Sequence, residues 1–440
     1  MKKENGITLV ALVVTIVVLI IIAGVTLSLT IGNGGIMKRA KTAVNDYASQ
    51  DTKEEKHFND LADWVDKNGN ESGIAKVPVN TKTEENGTIN GKKPGTNNPV
   101  IPGGYTPIDA GDAKWGNGSS APTQDSVDHG LVIKDDAGNE WVWVPVEESV
   151  FSGMYETSND GIALSGDVGV TTKMYTKSIT IGKTGDTKTL SRSTPNTTSY
   201  REPDLITTYD KDEAYYKTIL GYDTPKTMAG AFTTDYANMI ASIEKYGGFY
   251  IGRYELSNEG VQKGKATLIG KNWYELYKKC TMLNASEKVE SKMIFGIQWD
   301  LACDFISKKG EQKSITNSTT WGNYSNSTEN AAVMDGETKK YGSKQVTGYS
   351  EYWKANNIYD IAGNCWEWTQ EANNTYYRAY RGGSYRSGGS SCPASSRYSS
   401  SADDSSYSNI RFPSHFNNKI DGEYKLKCVK MLKYSLYNST

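Results

Sequence analysis

Histidine is almost missing from this chain of 440 residues. His57, His129 and His415 are its only three, and no two lie close in sequence. That spacing excludes a zinc helix built on paired histidines. Cysteine is sparse too. Cys280, Cys303, Cys365, Cys392 and Cys428 show no CxxC spacing, so they fit neither a zinc ribbon nor a dense disulfide framework. Excess charge of one sign is also lacking: 49 basic and 51 acidic residues leave a net charge of −2. That balance argues against a nucleic-acid binder held by overall positive charge. Hydrophobic residues reach only 37%. What is plentiful is glycine (43), tyrosine (29) and tryptophan (10), the composition of a turn-rich, aromatic, strand-containing body. The length allows two to three units.

Ile7 to Ile31 form an uncharged run of 25 residues. At ~1.5 Å per residue this run spans a bilayer core of ~30 Å. Lys2 and Lys3 precede it, and Lys38, Arg39 and Lys41 follow. A short basic head before a large soluble body favours a single pass with the C-terminal part outside the cell, although basic residues flank the run on both sides. The alternative is a cleaved secretory signal peptide, but the run is long and no small-residue cleavage site ends it cleanly.

Lys2-Lys3-Glu4-Asn5-Gly6, followed by Ile7-Thr8-Leu9-Val10-Ala11-Leu12, resembles the leader of type IV prepilins. The resemblance covers about 30 residues. It implies a leader of residues 1–6 cut after Gly6, an apolar helix able to enter a pilus core, and pilin subunits as partners. Two positions depart from it. Ala11 stands where pilins usually carry glutamate, and Gly32-Asn33-Gly34-Gly35 interrupts the long pilin helix.

Beyond the transmembrane run 7–31, residues 36–67 read as an amphipathic stalk helix, with Ile36, Ala40, Ala43, Val44 and Tyr47 at helical spacing. Residues 68–112 are rich in Asn, Gly, Thr, Lys and Pro and read as a flexible linker. The body is expected over residues 113–413, with an insertion of loops and short strands at 160–223. Trp141 to Val146 predict a strand, with Pro145 marking an edge. Phe232, Tyr236, Met239, Ile240, Ile243 and Tyr246 predict a helix that stops at Gly247-Gly248, and Phe249 to Glu255 a strand after it. Further helices are predicted at Trp273 to Leu283 and near Trp299 to Ile306. Helices among irregular strands and long loops give the α+β class.

"GGFYIGRYE" (Gly247 to Glu255), "NIYDIAGNCWEWT" (Asn357 to Thr369) and "RGGSY" (Arg381 to Tyr385) occur in the order found in formylglycine-generating enzymes, also called sulfatase-modifying factors. The chain resembles that family over most of residues 113–413, which implies a C-type-lectin-like fold. The family enzymes oxidise a substrate cysteine with a copper-binding cysteine pair, soft thiolates being suited to Cu(I). The matching positions are Ser387 and Cys392, so one partner is missing and no copper is expected. A related branch uses a histidine-rich iron site, which three scattered histidines cannot build. No enzyme activity is therefore expected. The resemblance also implies a calcium site along Asp360, Gly363, Cys365 and Glu367, where carboxylates and backbone carbonyls would supply hard oxygen ligands. The alternative there is that Asp360 caps a turn and Glu367 pairs with a buried arginine.

Residues Ala372 to Asn418 contain no Lys, Glu, Gln, Leu, Val, Met or Trp, and twelve of the 25 residues from Ser384 to Ser408 are serine. No hydrophobic core is expected from this composition. It matches a paratope, in which tyrosine gives contact area at low entropic cost and serine and glycine adapt. The alternative is a solvated low-complexity loop. The segment is similar to the C-terminal region of variable proteins of diversity-generating retroelements, which use the same lectin-like fold. Adenine-directed rewriting of AAY codons there yields Ser, Tyr, Gly, Asp, Arg, Cys, Ala or His but never Lys, Glu, Gln, Met or Trp. The resemblance places a variable region at 384–409 and implies ligand-binding positions at Tyr385, Arg386, Ser387, Ser391, Cys392, Ser396, Tyr398, Ser399, Ser400, Asp404, Ser406, Tyr407 and Ser408. Arg411 stands where that pattern expects glycine, and residues 414–440 form a basic, atypical tail that reads either as an extra strand or as the product of a reading-frame change.

The expected function is a membrane-anchored or pilus-associated surface receptor or adhesin that takes an external protein or glycan ligand and no nucleic acid. The alternatives are an extracytoplasmic formylglycine-generating oxidase and a structural, minor pilin-like protein.

Overall fold

The computed structural model describes residues 96–102, 104–116, 122–148, 178–191, 214–283, 289–328, 342–374, 376–404, 424–426 and 428–432. All belong to one unit, Lys76–Thr440. The expected leader with Gly6, the transmembrane run 7–31 and the stalk 36–67 lie outside the described residues, as do Ser406, Tyr407 and Ser408.

The described chain is a mixture of helices and mainly antiparallel sheets, the α+β class. A six-stranded sheet has the order β1-β2-β3-β6-β14-β7, from Tyr105–Ile108, Val132–Asp135, Glu140–Pro145, Gly248–Gly252, Cys428–Leu432 and Val289–Met293. A four-stranded sheet has the order β12-β11-β10-β13, from Arg397–Ser401, Tyr377–Arg381, Trp366–Ala372 and Tyr424–Leu426. Two hairpins complete the set: β4 (Ile179–Ile181) with β5 (Lys188–Leu190), and β8 (Lys354–Ala355) with β9 (Ile358–Tyr359).

The sheets reach past both expected boundaries of the body. β1 lies inside the expected linker 68–112. β13 and β14 lie inside the expected tail 414–440: β13 pairs in parallel with β10, and β14 sits between β6 and β7. Pro145 does not mark an edge, because β3 lies between β2 and β6. Pairing of β2 with β3 ends at Val132 opposite Val142, so at the end of β3 no ladder bond is lost to the missing N–H.

Among the described residues, four α-helices pack on this frame: α1 (Gln124–Asp128), α2 (Pro225–Tyr246), α3 (Trp273–Thr281) and α4 (Gly296–Lys308). Thr224 caps α2 in a reciprocal box with Thr227, and Gly247 ends it in the left-handed region at φ 75°. Its buried stripe (Met228, Phe232, Tyr236, Met239, Ile240, Ile243, Tyr246) faces the core, each large side chain contributing about 1.5–3 kcal/mol. Asn272 caps α3 in a box with Glu275, and α3 buries Trp273, Tyr274, Leu276, Tyr277 and Cys280. Phe232, Trp273 and Tyr277 meet ring to ring at 4.9–5.7 Å. Helix α4 is buried on nearly every side.

The Ser/Tyr-rich segment is also part of the packed interior, against expectation. Tyr380, Cys392 and Ala402 join one core cluster and Ala394 the other. The larger residues come from elsewhere, and small side chains let the backbone bond directly to a neighbouring loop. Ser395 donates N–H and Oγ to the Ile315 carbonyl, the Ala394 N–H reaches Ser318 Oγ, and the Ser318 N–H reaches the Gly389 carbonyl.

Candidate ligand-binding cleft

A buried ionic floor positions the segment. Arg381 ends β11, Asp300 lies on α4 and Glu371 on β10, and all three side chains are fully buried. Arg381 contacts Asp300 at 2.6 Å and Glu371 at 3.5 Å, while Arg397, the first residue of β12, contacts Glu371 at 2.9 Å. Two cations face two anions, which is the condition for tolerating buried charge. Burial alone would lower the Arg381 pKa, but Asp300 and Glu371 hold it above its ordinary value. The Arg381 Nε donates to the Ser396 carbonyl at 2.8 Å, fixing the loop that enters β12.

That loop begins at Gly382 and Gly383, at φ 87° and 84°. A Cβ on Gly383 would collide with the Cys392 carbonyl, so the turn demands glycine. Ser384 and Ser387 hydroxyls meet at 2.9 Å. The Ser387 carbonyl accepts from the Ser325 N–H, and the Gly389 N–H donates to Asn326. The loop is held by hydrogen bonds at almost every step.

Beside it stands the β4–β5 hairpin, which lies within the expected insertion. Its turn residue Asp186 accepts from the Ile315 N–H at 2.9 Å, the Thr316 N–H at 3.2 Å, Ser314 Oγ at 3.1 Å and Thr316 Oγ1. Burial raises the Asp186 pKa, but these bonds outweigh it and hold the carboxyl below the ordinary aspartate value. The Gly182 N–H donates to Asp304 at 2.8 Å, and Arg397 donates to the Ser191 carbonyl at 2.7 Å. Between hairpin and loop lies an open cleft of about 480 Å³.

The predicted ligand-binding residues divide by burial. Arg386, Ser391 and Tyr398 are exposed, and Ser399 and Asp404 half-buried. Tyr385, Ser387, Cys392, Ser396 and Ser400 are at most 8% exposed, so they support the loop more than they present it. Ser391, Ser396 and Tyr398 line the cleft. Tyr398 rests its ring on Trp366 at 5.4 Å and Tyr380 at 6.1 Å, yet stays 38% exposed. Arg386 instead stacks over Tyr385 at 5.2 Å.

Sequence reasoning missed the second wall, in which Thr187, Lys188, Thr189 and Ser191 come from the hairpin. Ile179, Ile181 and Leu190 are its buried side chains, and Gly182 and Gly185 carry positive φ around its turn. That alternation was the available signal, but three-residue strands are too short to stand out.

Cys303, Cys365 and Cys392 are buried thiols, and Cys280 is disulfide-bonded. Burial raises the Cys392 pKa, against hydrogen bonds with Ser391, Ser387 and Tyr398 that lower it. At neutral pH this is a thiol, not a nucleophilic thiolate.

At the expected calcium position, Asp360 and Glu367 are buried carboxylates. Asp360 sits at φ 56°, and its Oδ2 accepts the Gly348 N–H at 2.8 Å. Glu367 lies opposite Arg381 in the β10–β11 register. The Gly363 N–H donates to the Gly382 carbonyl, and Cys365 is buried. The donors are hard oxygens of the kind calcium takes. Among the described residues, no group of three or more His, Cys, Asp or Glu side chains gathers as a metal cluster. Motif residues here serve the frame: Asn364 donates to Glu255 at 3.2 Å and accepts from Asn323 at 3.1 Å.

In comparison with known proteins, the chain matches no family model, no curated protein and no solved structure.

Proposed function

We propose that this chain is a membrane-anchored surface receptor or adhesin. Its head is a C-type-lectin-like domain of the formylglycine-generating type, and it binds an external protein or glycan through the cleft beside the Ser/Tyr-rich segment. The observation that carries the reading is a buried, charge-paired floor under an exposed rim of tyrosine and serine. Binding surfaces of adaptable hydroxyls and flat aromatics work best when the backbone beneath is preorganised. The disulfide at Cys280 supports an oxidising, extracytoplasmic address. The prepilin-like leader with Gly6, and pilin subunits as partners, belong to the same reading. So do calcium at Asp360, Gly363, Cys365 and Glu367, and diversification over 384–409. The oxidase alternative is less favoured, because Cys392 has a raised pKa and the partner position is Ser387.

The test is capture of ligand-bearing cells by the full chain. Tyr398→Ala, at the exposed ring that lines the cleft, should abolish capture and leave a cooperative melting transition in place. Unchanged capture sinks the reading. Stoichiometric Cu(I) binding lost on Cys392→Ser would revive the oxidase. Sequencing the locus across close isolates tests the diversification separately: adenine-confined changes between Tyr385 and Ser408 support it, and an invariant stretch removes it.

A further inference from the structure

Resting on the receptor reading, we infer that the cleft is bipartite and selects an acidic saccharide, with Lys188 on the hairpin as the constant anion contact. Thirteen residues line the cleft. Among these described residues nine carry a hydroxyl, two are cations, and none is Asp, Glu, Asn or Gln. Hydroxyls both donate and accept, so they can serve a neutral sugar as well; what favours an anion is that the described lining places no side-chain carboxylate beside Lys188. An oxyanion needs donors, and hydroxyls and ammonium groups are donors.

The charge count narrows the contact. Arg397 is neutralised by Glu371, and its second nitrogen is spent on the Ser191 carbonyl. The nearest carboxylate on the hairpin, Asp186, is occupied by four donors from residues 314–316. Lys188 is exposed and has no ion pair among the described residues. Among the described residues it is therefore the charge of the cleft that no carboxylate compensates. Across from it, the exposed Tyr398 ring offers a flat apolar face with a polar tip, suited to one face of a sugar ring. The two walls do different work. The hairpin wall lies outside residues 384–409, so it keeps its charge while the Ser/Tyr wall changes shape.

The test uses the full chain in detergent micelles and three probes: a sulfated, uronate-containing hexasaccharide, its desulfated and carboxyl-reduced counterpart, and hexaglutamate. The acidic saccharide should bind best. Lys188→Gln should weaken it about tenfold, the loss of one charge-assisted contact. Lys183→Gln should change little, because Lys183 on the same hairpin donates to the Gln312 carbonyl and does not line the cleft. Rising salt should weaken binding by the wild-type chain, which keeps the inference testable if Lys188→Gln fails to fold. Equal binding of the neutral saccharide or of hexaglutamate, no saccharide binding, salt-insensitive binding, or no effect of Lys188→Gln each overturns it. If cell capture persists in any of those cases and is lost on Tyr398→Ala, the receptor reading stands and only the acidic-saccharide inference falls.

Discussion

Strands β10 and β12 belong to one sheet, two positions apart, and are built for opposite purposes. All seven residues of β10 are buried, including Glu367 and Glu371. Of the five residues of β12, only Ser400 is buried. The intervening strand β11 carries Arg381 and is buried at four of its five positions. The middle of the sheet is thus a charge-balanced interior, and β12 is an edge whose outer side chains border a cleft. On the proposed receptor reading, changes at β10 should act on folding and changes at the rim on recognition.

The largest effect should follow from breaking the interior. Asp300→Ala leaves Arg381 fully buried beside Glu371, which already serves Arg397. Denaturant unfolding should show a loss of about 3–5 kcal/mol, the usual result of removing one partner of a buried pair. A loss below about 1 kcal/mol would mean that water or rearrangement relieves the charge, and the contrast between the strands would fail.

Next comes the disulfide at Cys280 on α3. Cys280→Ala should cost about 2–4 kcal/mol, and a reducing agent should lower the wild-type melting temperature while leaving the variant unchanged. Both effects concern the frame that holds β10, and neither should alter ligand preference in the folded protein.

The hairpin wall gives a pH test. The Asp186 carboxyl is held below its ordinary value. A depressed acid stabilises above its unfolded pKa, and that contribution is lost as pH falls through the folded one. Amide protection at Ile315 and Thr316, corrected for intrinsic exchange, should therefore hold from pH 7 down to the ordinary aspartate value of 3.8 and fall below it. Asp186→Asn should remove the dependence. Protection already lost at pH 5 would show that another group holds the wall.

Much of this frame was legible in the sequence. The helical spacing from Phe232 to Tyr246, closed by Gly247, predicts α2, and Trp141 to Val146 predicts β3. The tail was not legible, because β13 and β14 gain their meaning only from β10, β6 and β7, all distant in sequence. Periodicity reports burial along one element and carries no pairing information. The site was half legible. Serine and tyrosine marked one wall by composition, but composition could not separate Ser384, which is fully buried, from Ser391, which faces the cleft. The other wall depends on Asp186, a single aspartate whose role appears only when residues 314–316 fold against it.

That distinction between serines gives the smallest and most discriminating prediction. Ser391 is exposed, and its hydroxyl returns a bond to the Gly388 carbonyl at 3.1 Å and interacts with the Cys392 thiol. Ser391→Tyr should change stability by no more than about 0.5 kcal/mol, as ordinary surface substitutions do, and should change which ligand binds. Ser384 lies seven positions earlier in the same run, with no exposed surface and its hydroxyl against Ser387. Ser384→Tyr must force a ring into filled space at a cost of about 1–3 kcal/mol or more. If both substitutions are tolerated alike, the loop is adaptable throughout and its hydrogen-bonded course does not constrain the rim. If Ser391→Tyr is as damaging as Ser384→Tyr, the exposed serines belong to the frame, and recognition must lie with the hairpin wall and Tyr398 alone.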